Sequence, residues 1–200
     1  MGKAKFGASQ LEYGVVQNDL VPGETTRIPG LVKVKMELKN ELKTLMADDG
    51  PYITVSGGIS EANLTLSFFD LPPKAKEDFF GIQVTNGIEL YKRDLTPNDV
   101  AVLYRTKLDD GKYVWVAMLK GKFGLPGLES ETIDGTPDPK EDEIEGSFSP
   151  RGDADEGLMV MIGREDQEGF DLEDFRKLVF PKTEEEATLP TQKPEVDAEA

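Results

Sequence analysis

Apolar and polar residues alternate along residues 31–39, with Val32, Val34, Met36 and Leu38 on one face and Lys33, Lys35, Glu37 and Lys39 on the other. That is the period of a half-buried strand with a wet, charged side. Residues 60–68 repeat it, placing Ser60, Ala62, Leu64, Leu66 and Phe68 opposite Glu61, Asn63, Thr65 and Ser67. Between the two, residues 41–46 read as a further strand, ended by the turn sequence Ala47-Asp48-Asp49-Gly50-Pro51. Gly57-Gly58 reads as a bend or flexible joint. The alternation fails at residues 113–119. Tyr113, Trp115, Ala117 and Leu119 point one way and Val114, Val116 and Met118 the other, so neither face is polar. Such a strand needs cover on both sides, and in a small β protein the second cover is expected from another copy of the chain.

Local signals place the remaining elements. Pro73 suits the first turn of a helix that buries Phe79 and Phe80 and stops at Gly81. Asn86-Gly87 joins two short apolar runs as a tight hairpin, and Asp109-Asp110-Gly111 joins residues 100–104 to residues 113–119. Strands are expected at 143–148 and 158–162, with a short helix from about Asp171 carrying Leu172, Phe175 and Leu178 on one side. Residues 1–30 read as irregular apart from a short strand near Tyr13-Gly14-Val15-Val16. The expected fold is mainly β: an antiparallel β-sandwich or partly closed barrel with one flanking α-helix, rather than a βαβ arrangement. It occupies residues 1–181 as a single β domain with an extended N-terminal segment. Residues 182–200, rich in Glu, Thr and Pro, read as an acidic, disordered tail.

Composition narrows the chemistry. The 200 residues carry 39 Asp and Glu against 23 Lys and Arg, a formal net charge of −16. That charge disfavours a phosphate-neutralising nucleic-acid surface and docking on anionic lipid. No apolar run approaches bilayer-spanning length and the start lacks a signal-type apolar region, so no membrane partner is expected. There is no cysteine and no histidine, which removes thiol chemistry, the commonest general base and nearly every zinc site. The expectation is therefore a protein that is not an enzyme, with no catalytic residues, no cofactor and no metal.

Individual motifs favour their plainer readings. The acids Asp134, Asp138, Glu141, Asp142, Glu143 and Glu145 lack the spacing of an EF-hand loop and read as a solvated acidic stretch. Arg151-Gly152-Asp153 spells an integrin-type tripeptide, but in a turn where those residues are expected for backbone reasons. Gly121-Lys122-Phe123-Gly124 lacks the spacing of a phosphate loop. Asp48-Asp49 and Asp109-Asp110 could serve as an acid and base in a carboxylate-based hydrolase, yet adjacent acids before glycine ordinarily form the turn. A sugar cleft is also poorly served by a single Trp.

An ordered set of segments does resemble a known family. These are Leu45-Met46-Ala47-Asp48-Asp49-Gly50, then Asp70-Leu71-Pro72-Pro73 leading to Phe79-Phe80-Gly81, and Asn86-Gly87. The aromatic strand ending Lys120-Gly121-Lys122-Phe123 follows, then Pro126, Glu131-Thr132 and Ile144-Glu145-Gly146-Ser147-Phe148. Together, over residues 30–150, they resemble the major tail proteins (tail tube proteins) of long-tailed, non-contractile phages of Gram-positive hosts. The resemblance implies a structural virion protein, made in the host cytoplasm and located in the tail. It implies self-association into rings, hexameric in this family, stacked into a tube around a tape measure protein. Tail terminator and distal tail proteins would be further partners, and DNA would pass through the lumen without specific binding. The acids Glu141, Glu143 and Glu145 on one strand face are candidates for lining that lumen, and residues 46–58 and 124–141 are expected as loops that cross ring interfaces. The last fifty residues carry little of the resemblance. The alternative is a β-sandwich binding module, a receptor-binding or decoration domain of a phage or bacterial surface, which would stay monomeric or trimeric with a discrete ligand.

Overall fold

The structure, a computed structural model, describes residues 3–47, 49–127, 141–152 and 157–188. Its strands are β1 (Lys5–Val15), β2 (Thr26–Ile28), β3 (Leu31–Ala47), β4 (Gly50–Phe68), β5 (Gln83–Thr85), β6 (Ile88–Leu90), β7 (Val100–Leu108), β8 (Tyr113–Phe123), β9 (Asp142–Phe148) and β10 (Val160–Arg164). Helix α1 (Pro73–Phe80) follows β4, and α2 (Leu172–Val179) follows β10. The fold is mainly antiparallel β, as the alternation predicts. Eight strands form one sheet in the order β2-β1-β7-β8-β9-β4-β3, with β10 also paired to β8, while β5 and β6 form a separate hairpin. The sheet curls until β3 comes back against β1, yet no ladder joins those two strands, so the barrel is partly closed.

The interior is aromatic and lies against α1. Tyr13 meets Phe79 edge-on at 4.7 Å, Phe79 stacks on Phe123 at 4.9 Å, and Phe123 meets Phe148 at 5.8 Å between ring centroids. Helix α1 ends as its sequence dictates: Gly81 takes φ 70° and donates its N–H to the Glu77 carbonyl. The two glycines of the β8–β9 junction have a packing reason. Gly121 lies opposite Phe148, and Phe123 lies opposite Gly146. A Cβ at Gly121 would come within 2.5 Å of the Phe148 ring, and one at Gly146 within 2.7 Å of the Phe123 ring. Each ring therefore covers the glycine across from it, which explains why Lys-Gly-Lys-Phe and Glu-Gly-Ser-Phe occur as partners.

Several expectations need correction. The N-terminal thirty residues are not irregular, because β1 runs eleven residues along β7. Its register slips between Phe6 and Ala8 and again between Ser9 and Glu12, with Gly7 and Gln10 at positive φ. Those bulges hide the alternation. The strands expected at 31–39 and 41–46 are one strand, and of the expected loop 46–58, residues 46–47 end β3 and residues 50–58 begin β4, so β3 and β4 form one long hairpin, with Asp48 outside the described residues. The flanking helix α1 and the short helix expected from Asp171 are both present among the described residues. Asp171 caps α2 by accepting the Asp174 N–H at 2.9 Å, and its buried residues are Phe175 and Val179. Leu178 is only half-buried.

The largest correction concerns the strand with two apolar faces. Its Val114, Val116 and Met118 join the barrel interior, while Trp115, Ala117 and Leu119 join a second cluster with Ala101, Leu103, Val16, Val21, Phe175, Val179 and Phe180. The second cover is this chain's own α2 and its flanks, not a neighbouring subunit. Beyond Pro181, residues 182–188 form turns in which Glu186 accepts the Lys182 N–H at 2.7 Å. The rest of the expected tail lies outside the described residues.

Candidate assembly surfaces

The distal β3–β4 hairpin is an arm. Its ladder continues from Ala62 out to the pair Ala47 and Gly50, whereas the β9 ladder on β4 stops at Ala62. Every side chain on residues 37–47 and 51–61 is exposed. Leu45 pairs with Ile53 and Lys43 with Val55, so Leu45, Ile53 and Val55 share a face. Leu42 lies on the other, beside Thr44 and Thr54, whose hydroxyls meet at 3.1 Å. Near the tip, Met46 is 67% and Tyr52 76% exposed. Both faces therefore carry large apolar groups that are exposed and that no other described residue covers. A monomer rarely leaves such a patch in water, and a long unpaired strand edge adds a second source of association.

The edges of β3 and β10 are open among the described residues. The outer side of β3 carries no further described strand. Strand β10 pairs with β8 over residues 114–118, on the side where β9 pairs over 121–123. The β9 and β10 segments thus occupy one lane beside β8, interrupted by an excursion. Ser149 N–H donates to the Lys120 carbonyl and Leu119 N–H to the Met159 carbonyl, so the chain leaves and returns at adjacent β8 residues. Arg151 and Leu158 bridge the neck of the excursion.

The solvent face of the body is polar in rows. Lys33, Ser67 and Glu143 lie opposite one another across β3, β4 and β9, as do Lys35, Thr65 and Glu145. A third row runs Glu37, Asn63, Ser147 and Lys122. An open groove of about 360 Å³ crosses these rows. Of the acids suggested for the lumen, Glu143 and Glu145 are exposed, and Glu141 is exposed just before the strand. Lys33 and Lys35 stand two strands away, so this face alternates in charge rather than being uniformly acidic. Glu145 and Glu143, after the nearer Glu37, help raise the pKa of Lys35.

The motif residues have structural work. Arg151 of the integrin-type tripeptide is buried, its guanidinium donating to the carbonyls of Leu119 (2.8 Å), Leu178 (3.0 Å) and Val179 (2.8 Å). It ties the C-terminal end of α2 to β8, and burial lowers its pKa to about 10. Asp153 lies outside the described residues. Asp110 accepts the Lys112 N–H within its own turn and binds Lys3. Asp166 binds Lys3 at 2.8 Å and Arg164 at 2.9 Å; the two cations hold its carboxyl well below the usual carboxylate range, Arg164 contributing most. Among the described residues no group of three or more acids, His or Cys could hold a metal ion, while Asp134, Asp138 and the greater part of the 124–141 stretch lie outside them. No helix among them is long and apolar enough to cross a membrane.

Sequence reasoning missed Glu165 and Arg151. Glu165 accepts the Trp115 indole N–H at 2.8 Å and the Tyr113 backbone N–H at 2.9 Å. A polar partner for the single buried indole was foreseeable in kind, but nothing local to Glu165 marks it as that partner.

No family model and no curated protein matches the chain. Among solved structures it is similar to the tube-terminating cap of the anti-feeding prophage, at 13% identity and TM-score 0.46, over 78% of this chain and 88% of that one. It is also similar to the sheath–tube complex of the PVC extracellular contractile injection system in its extended state, at 14% identity and TM-score 0.43, over 78% and 88%. A third likeness, at 14% identity and TM-score 0.42 over 76% and 92%, is to that system's sheath/tube terminator. These three TM-scores lie below 0.5, so what the chain does is read from its own surfaces.

Proposed function

We propose that this protein is a structural tail subunit, the major subunit of a phage tail tube, that associates with copies of itself into stacked rings. The observation that carries the reading is the arm. A hairpin with Leu45, Ile53 and Val55 on one face and Leu42 on the other, exposed throughout, gains free energy only when another surface covers it. The ordered motifs shared with tail tube proteins add independent support, and the open edges of β3 and β10 supply backbone groups for joining sheets. Head-to-tail contacts of this kind close into rings when the rotation between copies allows. The ring order expected from the resemblance is six. The tape measure, terminator and distal tail proteins are the further partners, DNA is the cargo of the lumen, and the virion tail is the location.

The covered face of β8 has no part in this assembly, because α2 already occupies it. The test is direct. Purified protein is concentrated and imaged by negative stain alongside sedimentation velocity. Rings or tubes support the reading. A chain that stays monomeric at every concentration and is absent from virions overturns it, and a monomer or trimer with a discrete ligand favours the binding module.

A further inference from the structure

We propose that the joint at the base of the arm is a pivot, which lets the arm change direction when it docks; the inference rests on the assembly reading above. Across the joint, Lys39 pairs with Glu61 and Leu42 with Ser56, so residues 39–42 of β3 face residues 56–61 of β4. The β4 strand thus holds two extra residues. Ser60 falls between the pairs Lys39–Glu61 and Asn40–Ile59, while Glu41 faces both Gly57 and Gly58. Each extra residue alone would turn the following side chains to the opposite face. Two together restore the original facing, so the arm keeps its pattern while the ladder is broken beneath it.

Nothing packs on the glycines. A Cβ at Gly58 would meet nothing within 4 Å, and one at Gly57 only the Glu41 carbonyl at 3.8 Å. Gly58 sits at φ 78°, where glycine is favoured for its backbone freedom. The broken ladder is bridged by exposed side chains instead. Ser60 Oγ donates to the Lys39 carbonyl at 3.3 Å, Ser56 Oγ to Asn40 Oδ1 at 3.1 Å, and the Gly58 N–H to Ser56 Oγ at 3.3 Å. Water can replace each of these at little cost. Beyond the joint the arm pairs with no third strand among the described residues and its side chains are exposed, so the joint sets its direction. From Leu42, where pairing resumes, to Ala47 is five residue steps, about 17 Å, and a swing of about 20° moves the tip by about 6 Å.

The chain has no cysteine, so nitroxide labels can be placed by substitution alone. Tyr52→Cys with Glu173→Cys reports arm to body, and Lys112→Cys with Glu173→Cys reports body to body. Pulsed electron resonance on the free protein is expected to give an arm-to-body distance distribution several ångströms broader than the body pair. Deleting Gly57 and Gly58 together leaves an unbroken ladder with the same facing, and should narrow the distribution to that of the body pair. The same deletion is expected to weaken self-association at least about tenfold, though every apolar side chain of the arm remains. An arm distribution as narrow as the body pair overturns the pivot, whether or not the deletion variant folds. Unaltered association of the deletion variant overturns its role in docking. A wild-type chain that never assembles instead defeats the assembly reading, and the distance widths still decide the pivot.

Discussion

The outer face of β8 and the β3–β4 arm carry similar side chains and meet opposite fates. On β8, Trp115, Ala117 and Leu119 are sealed beneath Phe175, Val179 and Phe180 of the same chain. On the arm, Leu45, Ile53 and Val55 share a face that stays exposed, with none of the other described residues over it. Both segments violate the one-sided alternation of a simple sheet, so apolarity alone identifies a need for cover without saying who supplies it. The difference lies at a distance in sequence. The β8 cover comes from residues 170–180 and 16–21, drawn in by contacts local periodicity does not encode. The arm reaches past the last strand that could cover it.

Substitutions in the two regions should therefore separate folding from assembly. The largest effect is expected from Trp115→Asp, which puts a charge under α2 and loses the bond to Glu165. It should destabilise the fold by more than about 4 kcal/mol, visible as loss of the cooperative denaturant transition rather than as a folded monomer that fails to assemble. Arg151→Met comes next. It leaves the carbonyls of Leu119, Leu178 and Val179 without their donor, and should cost about 2–3 kcal/mol in chemical denaturation. Arg151→Lys should recover little of that, because an ammonium cannot span all three carbonyls.

Acid should loosen the body by a smaller step. Because Asp166 titrates below its unfolded value, Arg164 and Lys3 favour the ionised form in the fold. That stability is fully present above the unfolded pKa of about 3.9 and is lost as pH falls below it. Thermal melts from pH 6 to pH 2 should show a shallower acid decline in Asp166→Asn than in the parent. The smallest effect on stability is expected from Leu45→Asp combined with Ile53→Asp, within about 0.5 kcal/mol of the parent. The same pair should abolish ring or tube formation in negative stain. Were it to unfold the protein instead, the contrast between arm and body would collapse.

How much of this was legible depended on whether the deciding physics was local. Asn86-Gly87, Pro73 with Gly81, and the turn at Gly111 announced their elements because backbone preference at one or two residues settles them. Strand β1 was lost because Gly7 and Gln10 interrupt its period, and the arm was read as separate pieces because its joint does the same. The arm as an assembly element was half visible: residues 46–58 stood out as an interface-crossing segment, but as a loop. Val179 took the core position expected of Leu178, a matter of where α2 meets the sheet. Arg151 was hidden by a tripeptide that suggested surface exposure, and only the fold shows its guanidinium turned inward.

The divided lane beside β8 bears on how such a chain can grow. Its two halves are held separately, β9 by β4 and the end of β8, β10 by the middle of β8. The excursion leaves and rejoins at neighbouring residues, Lys120 and Leu119, with its neck closed between Arg151 and Leu158. An independently folded module with adjacent termini could be spliced in beyond that neck while every strand kept its partners. The sheet and any module carried on it would then be free to diverge at different rates.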